Sequence, residues 1–270
     1  MKHNSSVLYG LASVLAICFT VTPAQSADNF NDGNDNGWTR YEPLAPHGAP
    51  GTFTFPIGPD PLGAGYRIQA PASPDPATLG PARAGSFRLD DVSQPGQTFL
   101  LGTASIVLTD WDNAISQSFG VMGFVRELGL GTLDGYLFSY STSGLLSLSR
   151  MDNEELTTLA TASLSLDPSL VYRFNLDLSR DSIGTFLTGT VYERHDLLNP
   201  ISFMRTLDST SAYSSGFNGL YLWNDDGGPV DATFDQFEAG VVPEPSTLSI
   251  LGLAGLSGLW FARRRRISSR

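Results

Sequence analysis

Residues 172–178 read Tyr-Arg-Phe-Asn-Leu-Asp-Leu, with an apolar side chain at every second position from Tyr172 to Leu178. Successive side chains of an extended chain point to opposite faces. This spacing therefore places Tyr172, Phe174, Leu176 and Leu178 on one buried side and Arg173, Asn175 and Asp177 on the other. A helix, with period 3.6, would scatter the same four around its circumference. Working outward, the alternation recurs at residues 53–55, 66–68, 87–89, 136–140 and 146–149. Further short apolar runs lie at 105–109, 119–125, 156–162, 186–192, 217–223 and 232–239. About twelve short strands separated by Gly- and Pro-marked turns predict an all-β chain, folded as a two-sheet antiparallel β-sandwich. Ten of the fourteen prolines in residues 28–242 fall between Pro43 and Pro81. That stretch is expected to be loops and short edge strands, since proline cannot donate to a sheet ladder. No fixed-period repeat and no linker interrupts residues 28–242, which read as one domain.

The 270 residues carry a formal charge of -11, but the ends and the middle differ. Residues 28–242 hold ten Arg, no Lys and 26 acidic side chains, a net -16, and no cysteine. Such a body is no nucleic-acid binder, because phosphate contacts need clustered Lys and Arg. It offers neither a disulfide framework nor thiol chemistry.

At the N-terminus Lys2 and His3 precede an apolar run over 7–21, followed by Pro23, Ala24, Gln25, Ser26 and Ala27. This is the layout of a signal peptide for the Sec translocon, with signal peptidase expected to cut after Ser26 or Ala27. The run is short for a membrane span. Bulky Ile17 before Cys18, the only cysteine, argues against a lipoprotein signal. At the C-terminus Pro243-Glu244-Pro245 leads into an apolar run over 247–262 and then Arg263, Arg264, Arg265 and Arg266. Sixteen helical residues cover roughly 24 Å, enough to cross a thinned bilayer with snorkelling arginines. The arginines would hold the tail in the cytosol and leave the acidic body outside.

Pro-Glu-Pro, a short Gly-rich apolar helix and a terminal Arg cluster together resemble the PEP-CTERM sorting signal of exported bacterial proteins, here residues 243–270. The resemblance implies recognition of Pro243-Glu244-Pro245 by an exosortase, a membrane-embedded cysteine transpeptidase, and removal of the helix and arginines. It also implies a setting of exopolysaccharide and biofilm, with the mature protein in the cell envelope or extracellular matrix. An ordinary single-span anchor is the other reading of the same tail. Within the body, Phe30-Asn31-Asp32-Gly33 with Gly37-Trp38, Asp134-Gly135-Tyr136, and Phe234-Asp235-Gln236-Phe237 resemble concanavalin A/laminin-G-like jelly rolls. In that group the first and last strands pair in one sheet.

The motifs for catalysis are sparse. No strand carries the closely spaced carboxylates of a retaining glycosidase. Asp152-Asn153-Glu154-Glu155 reads as a solvated hairpin turn, and Asp110-Trp111-Asp112 as a charged strand end facing water. His47 and His195 are far apart in sequence, with no Gly-x-Ser-x-Gly elbow and too few ligands for zinc. Asp32-Gly33-Asn34-Asp35-Asn36-Gly37 matches the first half of an EF-hand loop but has Pro43 where the twelfth-position glutamate belongs. Asp32, Asn34 and Asn36, with Asp235 brought near by the jelly-roll resemblance, are candidate ligands of a structural calcium ion. The plainer reading of the loop is a turn closed by side-chain to backbone hydrogen bonds. Trp223, followed by Asn224 and Asp225, is the candidate carbohydrate contact, an aromatic platform beside polar groups; core packing is the other role for such aromatics. The expectation is an exported, non-enzymatic protein contacting extracellular polysaccharide, with a secreted glycan hydrolase as the alternative.

Overall fold

A computed structural model describes residues 25–58, 63–89, 100–210 and 212–241. The sorting residues Pro243, Glu244 and Pro245, the cluster Arg263 to Arg266, both apolar terminal runs and residues 1–24 lie outside these. In chain order the strands are β1 (Gln25–Asp28), β2 (Trp38–Tyr41), β3 (Thr52–Thr54), β4 (Tyr66–Ala70), β5 (Ala82–Arg88), β6 (Leu100–Trp111), β7 (Ser118–Arg126) and β8 (Asp134–Ser141). They continue as β9 (Leu145–Asp152), β10 (Glu155–Ser163), β11 (Tyr172–Arg180), β12 (Thr185–Glu193), β13 (Ser202–Asp208), β14 (Phe217–Asn224) and β15 (Val230–Val241). One sheet runs β13-β12-β11-β6-β15-β4-β3, with β1 added beside β15; the other runs β10-β9-β8-β7-β14-β5-β2. All pairings within them are antiparallel. This is the all-β, two-sheet sandwich that the period-two pattern predicts.

Tyr172, Phe174, Leu176 and Leu178 are all at most 3% exposed, and Arg173, Asn175 and Asp177 lie on the opposite face. The buried four face the other sheet, where Phe138 of β8 meets Phe174 with ring centres 5.7 Å apart. Each of the twelve sequence runs falls on a strand. Three strands escaped the pattern: β1 and β2, which have four residues each, and β13, an edge strand. In β13 the alternation is inverted, with Phe203 63% exposed and neighbouring Met204 buried. The Pro-rich stretch forms a 3-10 turn (Ala45–His47), two short strands and one helical turn, Pro76–Leu79, whose Thr78 N–H is accepted by the Asp75 carboxylate. Strand β1 overlaps the expected signal-peptide boundary, since residues 25–27 pair with β15.

The strand ends collect at two poles. At one, the loop 112–117, the turn 142–144, the loop 164–171 and the loop 225–229 lie together, joined by Thr142 N–H to Gln117 O (2.9 Å) and Leu164 N–H to Gly144 O (3.0 Å). At the other, β1 begins beside the end of β15, Gln25 opposite Gly240, and Val241 lies opposite Gly102 near the start of β6.

The core is packed to contact at Gly189 on β12. A methyl group added there would sit 2.5 Å from the Phe138 ring. Gly189→Ala is therefore expected to lose about 1–3 kcal/mol by overpacking, read as a lower urea midpoint with an unchanged slope.

Candidate functional site

At the first pole the loops enclose a cleft of about 450 Å3. Its floor is Tyr140, 2% exposed, whose hydroxyl accepts the backbone N–H of Leu166 at 3.3 Å. The β8–β9 turn supplies Thr142, Ser143 and Gly144; the end of β10 and the loop after it supply Ser163, Leu164, Ser165 and Leu166; the β6–β7 loop supplies Asn113. Thr142 fixes the walls relative to each other, donating from Oγ1 to Ile115 O (2.7 Å) and accepting from Gln117 N (3.1 Å). Gln117 in turn spans to β15, donating from Nε2 to Asp231 O and accepting Asp231 N–H at Oε1. Asn113 Oδ1 accepts the Trp111 indole at 3.4 Å, while its Nδ2 makes no hydrogen bond among the described residues. Among the described residues no charged side chain lines the cleft. In a body of net -16, this is a neutral concavity of hydroxyls, one amide, a tyrosine and two leucines. Such a lining can hydrogen-bond an uncharged polyhydroxylated ligand and cover its apolar faces, and it offers no ionic partner.

No contiguous motif marks this cleft, because its residues come from three separated loops. The readable trace is the hydroxyl-rich turn Ser139-Tyr140-Ser141-Thr142-Ser143-Gly144 between two alternating strands.

Trp223 is not an open platform. It is 6% exposed and belongs to a second apolar cluster, with Tyr41, Phe87, Tyr221 and Leu133 among its members. Its ring centre lies 5.6 Å from that of Tyr221. The cause is register: Leu220 and Leu222 of β14 face the inter-sheet core, so Tyr221 and Trp223 point to the outer face of their sheet. Chain segments cover that face. Asn224 is also buried and serves its own turn, donating to Pro229 O and accepting from Asp226 N, while Asp225 faces solvent. The three residues proposed as one contact therefore point to different environments.

The cover is held by an ion pair that the sequence analysis placed in water. Asn153 and Glu154, at φ 53° and 65°, form the two-residue turn between β9 and β10. Left-handed backbone is unfavourable for a glutamate. Here its carboxylate accepts Arg83 Nε (2.8 Å), Arg83 Nη2 (2.7 Å), Gly131 N (2.7 Å) and the Tyr41 hydroxyl. Arg83 also donates Nη1 to Leu79 O and Pro81 O. The paired side chains are 3% and 11% exposed. Burial opposes the charge on Arg83, but the Glu154 carboxylate outweighs it and holds the guanidinium above its ordinary value. Burial, followed by nearby Tyr221 and Glu154, raises the Tyr41 phenol well above its usual range.

The remaining sequence candidates are dispersed. Asp32 Oδ1 accepts Asn34 N and Asn34 Oδ1 accepts Asn36 N, the side-chain to backbone bonds of a closed turn. Asp235 is 1% exposed while Asp32 and Asn36 face solvent, so the four do not form one open ligand set. Among the described residues no group of three or more His, Cys, Asp and Glu side chains could hold a metal ion. Asp110 and Asp112 are exposed and Trp111 between them is core; His47 and His195 are exposed on separate loops.

Comparison with known proteins adds to both halves of this picture. Residues 241–266 match the PEP-CTERM protein-sorting motif. The motif implies an exported, membrane-anchored precursor. No curated protein matches the chain. Among solved structures, the basic winged bean lectin with Tn-antigen aligns with TM-score 0.51 and 8% identity, over 82% of this chain and 99% of that one. The Bauhinia forficata lectin in complex with GalNAc aligns with TM-score 0.50 and 8% identity, over the same shares. A carbohydrate-binding module, CBM66 of Bacillus subtilis, aligns with TM-score 0.46 and 14% identity over 76% and 96%. The body thus has the lectin-like jelly-roll fold.

Removing one partner of a buried, hydrogen-bonded pair strands the other charge. Glu154→Gln is expected to cost about 3–5 kcal/mol in chemical denaturation, and Arg83→Met combined with Glu154→Leu to recover much of that loss.

Proposed function

We propose that this chain is an exported, non-enzymatic surface or matrix protein whose sandwich contacts neutral carbohydrate through the cleft of Tyr140, Thr142 and Asn113. The observation that carries the proposal is the cleft's chemistry. Its donors and acceptors are hydroxyls and an amide, its apolar surface is Tyr140 and two leucines, and among the described residues no carboxylate lines it. Sugars present the complementary set, dense hydroxyls beside apolar C–H faces. The two sugar-bound lectins among the fold neighbours support the substrate class by analogy alone. A hydrolase would need two convergent carboxylates at the scissile bond. The cleft supplies none, so binding without turnover is the reading it favours.

Export and sorting complete the proposal: entry through the Sec translocon, removal of the leader by signal peptidase, and cleavage at Pro243-Glu244-Pro245 by an exosortase. Calcium is not assigned a role, because Asp235 is buried while Asp32 and Asn36 face solvent, and Asp32 Oδ1 and Asn34 Oδ1 accept backbone donors of their own turn.

Two measurements test this. On a glycan array the processed protein is expected to bind neutral glycans without releasing reducing sugar. Two lost hydrogen bonds at about 1 kcal/mol each should make Asn113→Ala with Ser165→Ala roughly 30-fold weaker. Binding unchanged in that variant sinks the cleft, and release of reducing ends replaces it with the hydrolase. Separately, in a host with an exosortase, Pro243→Ala with Pro245→Ala is expected to leave the tail attached, seen as a larger intact mass. Loss of the tail in that variant removes the sorting motif from the mechanism.

A further inference from the structure

The described chain ends leave the sandwich side by side. Strand β1 pairs antiparallel with β15, Gln25 opposite Gly240 and Ser26 opposite Ala239. The segment before Gln25 and the segment after Val241 therefore depart from the same pole. The cleft lies at the other pole: Asn113 follows Trp111, which pairs with Ala232 near the start of β15, and Gln117 binds Asp231. Between these poles β15 runs for twelve residues, roughly 37 Å of antiparallel strand.

The tether at the pole where β15 ends is short. Five residues, Val242 to Ser246, separate β15 from the apolar run that begins at Thr247. From Val241 to Thr247 the six residue steps reach no more than about 22 Å when fully extended. Whatever membrane holds the apolar run therefore lies within that distance of the end of β15, which is shorter than the sandwich. The turn joining β11 to β12, Asp181 to Gly184, is at the same pole, since Arg180 pairs with Leu100 at the start of β6; its Ile183 is 59% exposed. Exposed leucines also occur beyond the far ends of the strands, Leu197 and Leu198 among them, so exposed apolar area alone does not decide which pole meets lipid. The tether does.

We propose that the exported precursor stands on the membrane surface by the pole where β1 begins and β15 ends, with the neutral cleft facing away from the lipid. This rests on the membrane-anchored reading of the tail and extends it to the posture of the domain. The partner is the lipid headgroup surface, and the cleft is open to extracellular polymer before any cleavage releases the domain. Because both terminal segments leave from one pole, they can occupy one bilayer at the same time without turning the sandwich over.

The chain's only cysteine is Cys18, so single reporters can be placed in the full-length protein with Cys18→Ser. Ile183→Cys and, as a second site at that pole, Ser182→Cys are compared with Ser143→Cys and Ser165→Cys at the cleft, each carrying a fluorophore. The full chain is inserted in vesicles containing headgroup-nitroxide lipid, and alkaline carbonate extraction first establishes insertion. Quenching at 182 and 183 is expected to exceed that at 143 and 165 several-fold, and detergent should abolish the difference. Equal or reversed quenching in inserted protein overturns the posture. Release of the protein by carbonate overturns the membrane reading beneath it.

Discussion

Strands β6 and β15, twelve residues each, pair antiparallel from Val241 opposite Gly102 to Ala232 opposite Trp111, and that ladder places most of the molecule. It sets the length of the sandwich and fixes which turns share a pole. Two register shifts interrupt it, one of them between Asp235 and Glu238, where Gln236 sits at φ 47° and donates its N–H to Asp235 Oδ1. Extra residues in one strand bend it and add local twist. On its free side β15 pairs with β4 from Val230 to Phe234 and with β1 from Phe237 to Gly240. The bulge falls between these two partners. The juxtaposition of the chain ends is thus a product of the same strand that carries the cleft's supports at its other end.

The two faces of the second sheet are buried by different means. Its inner face packs against the first sheet through Phe119, Phe138, Leu220 and Leu222. Its outer face carries Tyr41, Phe87, Met122, Tyr221 and Trp223, and is covered by the loop after β7 and the β9–β10 turn. Glu154 is the fastener. A glutamate at positive φ is a local cost, and a buried carboxylate a larger one; both are met by Arg83, Gly131 and Tyr41 converging on one side chain. The aromatic face that would otherwise be open to a sheet-wide ligand is filled by the protein itself. What remains for a small ligand is the neutral cleft between loops.

Charge separates these regions further. The acidic excess lies on solvated surface and in paired networks such as Arg150 with Asp152 and Asp208, and Arg67 with Asp231. The lining of the cleft has none of it. An uncharged ligand can enter without leaving a desolvated carboxylate behind, whereas an anionic one meets repulsion from the surrounding body.

The six alternating runs and the six short apolar runs determined the class, and all twelve correspond to strands, because alternation is a local consequence of having one buried face. The same logic fails where both faces are covered: β7, β8 and β14 bury nearly every residue, so pattern alone does not reveal that Trp223 is interior. Sequence also determined the sorting motif, since Pro243-Glu244-Pro245, the apolar run and the arginines are contiguous and need no folding to be read. Tertiary structure alone decided what Glu154 does, because its partners Arg83 and Tyr41 are 71 and 113 residues away. It alone assembled the cleft from loops near residues 113, 142 and 165, and it alone set the chain ends together at the opposite pole. Local chemistry travels along the chain and can be read from it; convergence across the sheets exists only once the strands have paired.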